Sequence, residues 1–194
     1  CTTILTNRKI SAEYFSFHTT DAEYQLLEKI RHIPKTKFLA GNADFALGIV
    51  TGNNKKYISS VKNKDNEVIL KGSDICKYHT NPNSNYIVFN PQNFQQVAPI
   101  EMYRAPEKLL YRFISSQLVF AYDDKQTLSL NSCNLVIPKL EGLHIKYILA
   151  ILNSRIAQFI YKMEFHSVKV LRSHIENIPI LDVNADMQNS IIQA

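Results

Sequence analysis

No two cysteines stand in a C-x-x-C spacing: Cys1, Cys76 and Cys133 are scattered along 194 residues. This argues against a zinc site of the usual spacing and against a redox pair, and three is odd and few for a disulfide framework. Reduced, partly buried thiols in a cytosolic (cytoplasmic) protein are the expectation. No apolar run approaches the roughly 18 residues needed to span a bilayer. The most apolar stretch, Tyr147-Ile-Leu-Ala-Ile-Leu152, is far shorter. Neither a signal peptide nor a membrane partner is expected. Glycine is scarce, at 5 residues, and neither a G-x-x-x-x-G-K phosphate loop nor a G-x-S-x-G nucleophile elbow occurs.

Catalytic patterns are missing as well. The six histidines (His18, His32, His79, His144, His166 and His174) show no H-E-x-x-H or comparable ligand spacing. A metal-dependent nuclease of the Pro-Asp type has no Pro-Asp to start from, and Asp123-Asp124-Lys125 reads more simply as a polar hairpin tip. Adenine methyl transfer needs a glycine-bearing cofactor loop and an (Asn/Asp)-Pro-Pro-(Tyr/Phe) string. The nearest string, Asn90-Pro91-Gln92-Asn93-Phe94, lacks the second proline and reads as a turn after a strand.

What is present is a foldable chain of one-domain size. Hydrophobic residues make up 45%, with 10 Tyr and 10 Phe, which supports a sizeable core and argues against disorder. Lys and Arg number 22 against 17 Asp and Glu, a net +5 that is compatible with a polyanionic partner. The chain opens on Cys1 rather than Met, so a piece of a longer protein is expected, with a processed N-terminus as the alternative.

The first 20 residues read as an opening strand and loop. Tyr24, Leu27 and Ile30 follow helical spacing behind Thr20 or Asp21 as N-cap, and Pro34 closes that helix, near 21–33. Strands are expected at 45–50, 57–58, 67–70, 86–89 and 134–137, and a hairpin of 118–122 with 127–130 across residues 123–125. Residues 107–114, with Leu109, Leu110, Phe113 and Ile114, read as a helix. Residues 142–163 read as the longest helix, with Ile145, Ile148, Leu149, Leu152, Ile156, Phe159 and Ile160 at three-to-four spacing. The expected class is α+β, a mixed, mostly antiparallel twisted sheet with several helices. Residues 1–40 read as an approach segment, 41–182 as the main domain and 183–194 as the start of a further helix.

Three basic regions stand out. Thr51-Gly-Asn-Asn-Lys-Lys-Tyr57 sets a glycine turn beside two amides, two lysines and an aromatic; residues 51–79 hold six lysines against three acids. Lysines suit phosphates and asparagines suit the adenine edge, although a solvated turn would look the same. Residues 154–174 carry Arg155, Lys162, Lys169 and Arg172 against Glu164, with His166 and His174 beside them, and could lie along a phosphate backbone or form a plain surface strand. Arg104, Lys108 and Arg112 are spaced to share one helical face, free for DNA or paired with Glu101 and Glu107.

Five strings in order resemble one family. Leu47-Gly-Ile-Val-Thr-Gly-Asn-Asn-Lys-Lys-Tyr57 is similar to an opening G-I-x-T-G-x-N-x-x-(F/Y). Leu70-Lys-Gly-Ser-Asp-Ile75 with Tyr78 is similar to G-x-D-I-x-x-Y. Tyr103-Arg-Ala-Pro-Glu-Lys-Leu-Leu-Tyr-Arg112, Leu149-Ala-Ile-Leu-Asn-Ser154 and the closing Leu171-Arg-Ser-His-Ile-Glu-Asn-Ile-Pro-Ile180 complete the set. Together they resemble the TaqI-like C-terminal specificity domain of type IIG restriction enzymes and adenine-specific DNA methyltransferases.

The resemblance implies a target-recognition-type fold without a catalytic centre of its own. It implies double-stranded DNA as partner, together with a methyltransferase domain N-terminal in the same chain. That domain would use S-adenosylmethionine and receive a flipped adenine; no cofactor is expected in this chain. The DNA-contacting candidates are Thr51, Asn53, Asn54, Lys55, Lys56, Arg104, Arg112, Lys169, Arg172 and His174, the lysines and Arg172 on phosphates and the amides, Arg112 or His174 on base edges. Asn153 and Ser154 read as packing or capping residues. A subunit-docking module of a restriction-modification complex and an independent enzyme are the competing readings.

Overall fold

The structure, a computed structural model, describes residues 19–165 and 167–194 and the backbone of β1 (Arg8–Lys9) and β2 (Phe15–Ser16). The remainder of the expected opening strand and loop, with Cys1, His18 and His166, lies outside the described residues.

Thr20 opens α1 (Asp21–Arg31) with a reciprocal cap: its hydroxyl accepts from the Glu23 amide at 3.3 Å, and Glu23 accepts from the Thr20 amide at 2.9 Å. Leu27 and Ile30 are the buried face, as their spacing predicts. The chain continues through β3 (Thr36–Lys37), β4 (Ala43–Ala46), α2 (Asn54–Tyr57), β5 (Ile58–Ser59), β6 (Glu67–Leu70) and β7 (Tyr86–Ile87). Then come α3 (Ile100–Tyr103), β8 (Lys108–Arg112), β9 (Phe120–Asp123), β10 (Leu128–Ser129) and β11 (Cys133–Pro138). The last elements are α4 (Ile145–Asn153), α5 (Arg155–Glu164), α6 (Arg172–Glu176), β12 (Ile180–Leu181) and α7 (Ala185–Gln193).

The central sheet runs β4-β11-β8-β9 and is antiparallel throughout. Strand alternation sends its side chains into two cores. Leu109, Tyr111, Phe120 and Val136 face one side, against Leu27 of α1, Ile148 and Leu152 of α4 and Ile160 of α5. Leu110, Ala121, Cys133 and Leu135 face the other, against Ile69, Leu70 and Ile87 of a second sheet ordered β10-β6-β7-β5. In that sheet β10 and β6 are parallel and the other pairs antiparallel. The class is α+β, mixed and mostly antiparallel, as the sequence predicts.

Three local expectations are overturned. Residues 107–114 contain strand β8, not a helix. Central in a sheet covered on both faces, it carries a nearly continuous apolar run, which fits either periodicity over so few residues. Lys108 and Arg112 therefore share a strand face, not a helical one, and Lys108 is buried opposite Asp123, with which it forms an ion pair. That pairing also removes the expected hairpin tip: Asp123 ends β9, which pairs with β8, whereas β10 belongs to the other sheet.

The long helix at 142–163 is two helices, broken where Ser154 takes an extended conformation and its hydroxyl accepts from the Ala157 amide at 3.1 Å. The break aims two side-chain amides at β9 and the residues that lead into it. Asn153 bonds both backbone groups of Phe120, and Gln158 bonds both of Leu118. Asn153 and Ser154 are thus the packing and capping residues the sequence suggests.

Candidate nucleic-acid interface

The 51–56 turn is fixed from within. Gly52 takes a left-handed φ of +76°. The Thr51 hydroxyl, buried, donates to Asn54 Oδ1 at 2.6 Å and accepts from the Asn53 amide at 3.1 Å. Asn53 caps α2 by accepting from the Lys56 amide at 3.2 Å. These bonds orient the turn and leave Lys55 and Lys56 exposed, with Lys56 Nζ 5.0 Å from the Tyr57 ring centre.

Long-range contacts then tie the turn to its neighbours. Val50 and Gln96 exchange both backbone hydrogen bonds, at 2.9 and 3.1 Å. The fully buried Tyr103 donates its hydroxyl proton to Leu47 O at 2.8 Å and accepts from the Ala98 amide at 3.1 Å, locking both segments at one point. Gly48 passes so close to residues 130–133 that a Cβ there would lie 2.1 Å from Leu130 O. The result is a tip with an open depression of about 240 Å³, bordered by Thr51, Gly52, Asn54, Gln95 and Asn131. Beyond Gln96 a second depression, of about 420 Å³, runs past Phe45 to Arg172. Residues 95 and 96 thus join the turn to the start of α6.

Arg172 is exposed there, its guanidinium 5.1 Å from the Phe45 ring centre and its Nε donating to Glu176 at 2.7 Å. Lys169 is exposed on residues 168–170, whose backbone pairs with Phe113 and Ser115 at 2.8 and 2.9 Å. Lys62 and Lys64 project from a loop organised by Asn63 and Asn66.

Six of the ten sequence candidates (Thr51, Asn53, Asn54, Lys55, Lys56 and Arg172) stand on the turn or line this groove, and a seventh, Lys169, is exposed opposite Ile114. The other three are held by the fold. Arg104 bonds Glu67 at 2.6 Å and Gln126 O at 2.8 Å. Arg112 donates to Ile75 O at 2.8 Å, on the β8 face opposite Tyr111. His174 is 3% exposed, stacks on Phe165 at 4.0 Å, and its ring nitrogen accepts from the Leu171 amide at 3.2 Å. Sequence reasoning missed Gln95, Gln96 and Asn131, which reach the site only through chain folding.

The strongly perturbed groups are interior. Burial lowers Lys108, partly offset by Asp123, and burial drives the Cys133 thiol far up. Among the described residues no group of three or more His, Cys, Asp or Glu is placed to hold a metal ion, and no helix is long and apolar enough to cross a membrane.

Comparison with known proteins bears on this arrangement. The sequence profile described as the TaqI-like C-terminal specificity domain matches residues 67–180, more than half of the chain. It includes Gln95, Asn131, Lys169 and Arg172 and begins after the 51–56 turn. Over 63 residues the chain is 40% identical to the type II methyltransferase M.VspI of Vibrio sp. (strain 343), a stretch covering 32% of this chain and 15% of that protein. Among solved structures, a chain from a study of complex assembly and conformational transition of the type I R-M system superposes with a TM-score of 0.52. Its identity is 13%, over 88% of this chain and 41% of that one, so the likeness is one of fold. The HsdS subunit from Thermoanaerobacter tengcongensis aligns at TM-score 0.48 and 15% identity, over 82% of this chain and 36% of the subunit.

Proposed function

The chain belongs to the TaqI-like C-terminal specificity domain family, and from that premise we propose that it reads the sequence of duplex DNA for an adenine-N6 methyltransferase of a restriction-modification system. In this reading the methyltransferase domain lies N-terminal in the parent protein and holds S-adenosylmethionine. This chain performs no bond chemistry: it seats the duplex so that a target adenine can be turned out of the stack.

One observation carries the reading. The exposed lysines of the 51–56 turn adjoin a depression bordered by the uncharged amides Asn54, Gln95 and Asn131, and the neighbouring depression, which Gln96 lines, ends at the exposed Arg172. Cations attract phosphates of any sequence, whereas amides discriminate base edges.

The test is duplex binding by the chain over a salt series, followed by fluorescence anisotropy. The expected result is an affinity that falls steeply as salt rises, because each neutralised phosphate releases about 0.9 counterion. Affinity that is flat between low and moderate salt overturns the proposal.

A further inference from the structure

Within that reading, on which this inference rests, the tip itself separates anchoring from discrimination. In the interior of the fold, side-chain amides are bonded to backbone: Asn134 accepts from the Gly48 amide, Asn153 bonds Phe120, Gln158 bonds Leu118, and Gln188 bonds Gly142 O and Val183 O. At the 240 Å³ depression the pattern reverses. Gln95 and Asn131 are exposed with no side-chain partner among the described residues, and Asn54 uses its oxygen toward Thr51 while its amide nitrogen stays unbonded.

The backbone beneath these amides is held firmly. Residue 95 precedes the Val50–Gln96 backbone pair, and the Asn131 amide donates to Ile49 O at 3.1 Å. A Cβ at Gly52 would lie 3.5 Å from Gln95 Cβ and 3.6 Å from its Oε1, so the Gln95 side chain stands directly over the glycine turn. A side-chain amide offers one donor and one acceptor in a fixed plane. That pair matches N7 and N6 of adenine in the major groove, whereas guanine presents two acceptors there and suits arginine or lysine.

We infer that Gln95, flanked by Asn131 and Asn54, is a specificity-determining residue that reads an adenine edge at one position of the target word. Lys55 and Lys56, on the adjoining turn, hold phosphates and carry no sequence information. Gln95 and Asn131 are exposed and unbonded, so their replacement leaves the fold intact.

The experiment is selection of a randomised duplex pool by the full chain, with sequencing of the bound fraction, for wild type, Q95A, Q95R, N131A and the K55A/K56A double variant. Wild type is expected to enrich one word. Q95A is expected to lose about 5- to 150-fold discrimination at a single adenine position, Q95R to move that position toward guanine, and N131A to weaken the same or the adjoining position. K55A/K56A is expected to keep the word and bind every duplex more weakly.

A wild type that selects a word which Q95A reproduces with the same stringency at every position overturns this inference and leaves the functional reading standing. A wild type that binds no duplex, or selects no word, overturns both.

Discussion

The Asn153 side chain pairs with both polar groups of the Phe120 backbone: its Nδ2 donates to Phe120 O at 2.9 Å and its Oδ1 accepts from Phe120 N at 3.0 Å. An amide side chain here takes the place of a neighbouring strand. The edge of β9 is closed by this helix break together with the backbone of Tyr78, which bonds Phe120 O and the Tyr122 amide, and a template for pairing between molecules is removed. Replacing Asn153 by Ala leaves the buried Phe120 N–H without a partner, whereas Phe120 O keeps the Tyr78 amide at 2.8 Å. The expected cost is about 1–3 kcal/mol from urea unfolding, the penalty for one unsatisfied buried group. N153D keeps an acceptor for Phe120 N but sets a buried carboxylate oxygen against Phe120 O, and is expected to be destabilised as well.

The Lys108–Asp123 ion pair lies in the second core, with Lys108 also donating to Tyr103 O at 2.7 Å and Asp123 accepting from the Thr127 hydroxyl at 2.7 Å. D123A would strand a buried cation and is expected to cost about 3–5 kcal/mol. The double replacement K108M/D123L is expected to recover most of that loss, because it removes both charges together. Equilibrium unfolding of the three proteins checks the order.

Two glycines near the turn are expected to respond differently to alanine. At Gly48 the new Cβ would meet Leu130 O at 2.1 Å and Cys133 O at 2.5 Å, both backbone atoms that cannot step aside. G48A should therefore fail to fold or lose several degrees of Tm. At Gly52 the Cβ meets only the Gln95 side chain, at ordinary contact distance, and the cost is that of a left-handed residue, about 1–2 kcal/mol. Circular dichroism melts distinguish the two.

Lys55 and Lys56 are exposed and make no ion pair among the described residues. K55A/K56A is expected to leave stability unchanged within about 0.5 kcal/mol. It is expected to lower the slope of log affinity against log salt by about 1 for each lysine that had met a phosphate. Anisotropy at several salt concentrations measures both slopes.

Glu164 supplies a pH dependence. Burial raises its carboxyl above the ordinary value, and Arg31, bonded at 2.6 Å, opposes the rise. Because the folded value is raised, the folded chain holds this proton more tightly than the unfolded chain. The stabilising contribution is full below the unfolded value and is lost as pH rises through the folded one. E164Q is expected to flatten that part of the stability profile above about pH 4, as measured by urea midpoints.

Local signals were legible and non-local ones were not. Thr20, Glu23, Leu27 and Ile30 define α1 by themselves, since cap and buried face lie within one short stretch. β11 and β6 announce themselves as apolar runs between turns. β8 does not, because an apolar run buried on both faces carries no period, and only its partners β11 and β9 decide its form. The break at Ser154 is equally quiet: apolar spacing continues through it, and its cause, the β9 edge, lies some thirty residues away in sequence. In the candidate site the 51–56 turn could be found from its string, because glycine, amides and lysines are contiguous there. Gln95 and Asn131 could not, since the depression exists only where three distant segments meet.

Tyr103 clasps residues 47 and 98 by their main chains, and Val50 meets Gln96 main chain to main chain. Nothing in that clasp depends on which side chains the outer loops display. The positions facing outward are consequently free to change identity one at a time while their mounting stays put. Such a part can acquire a new preference by single substitutions without first having to refold.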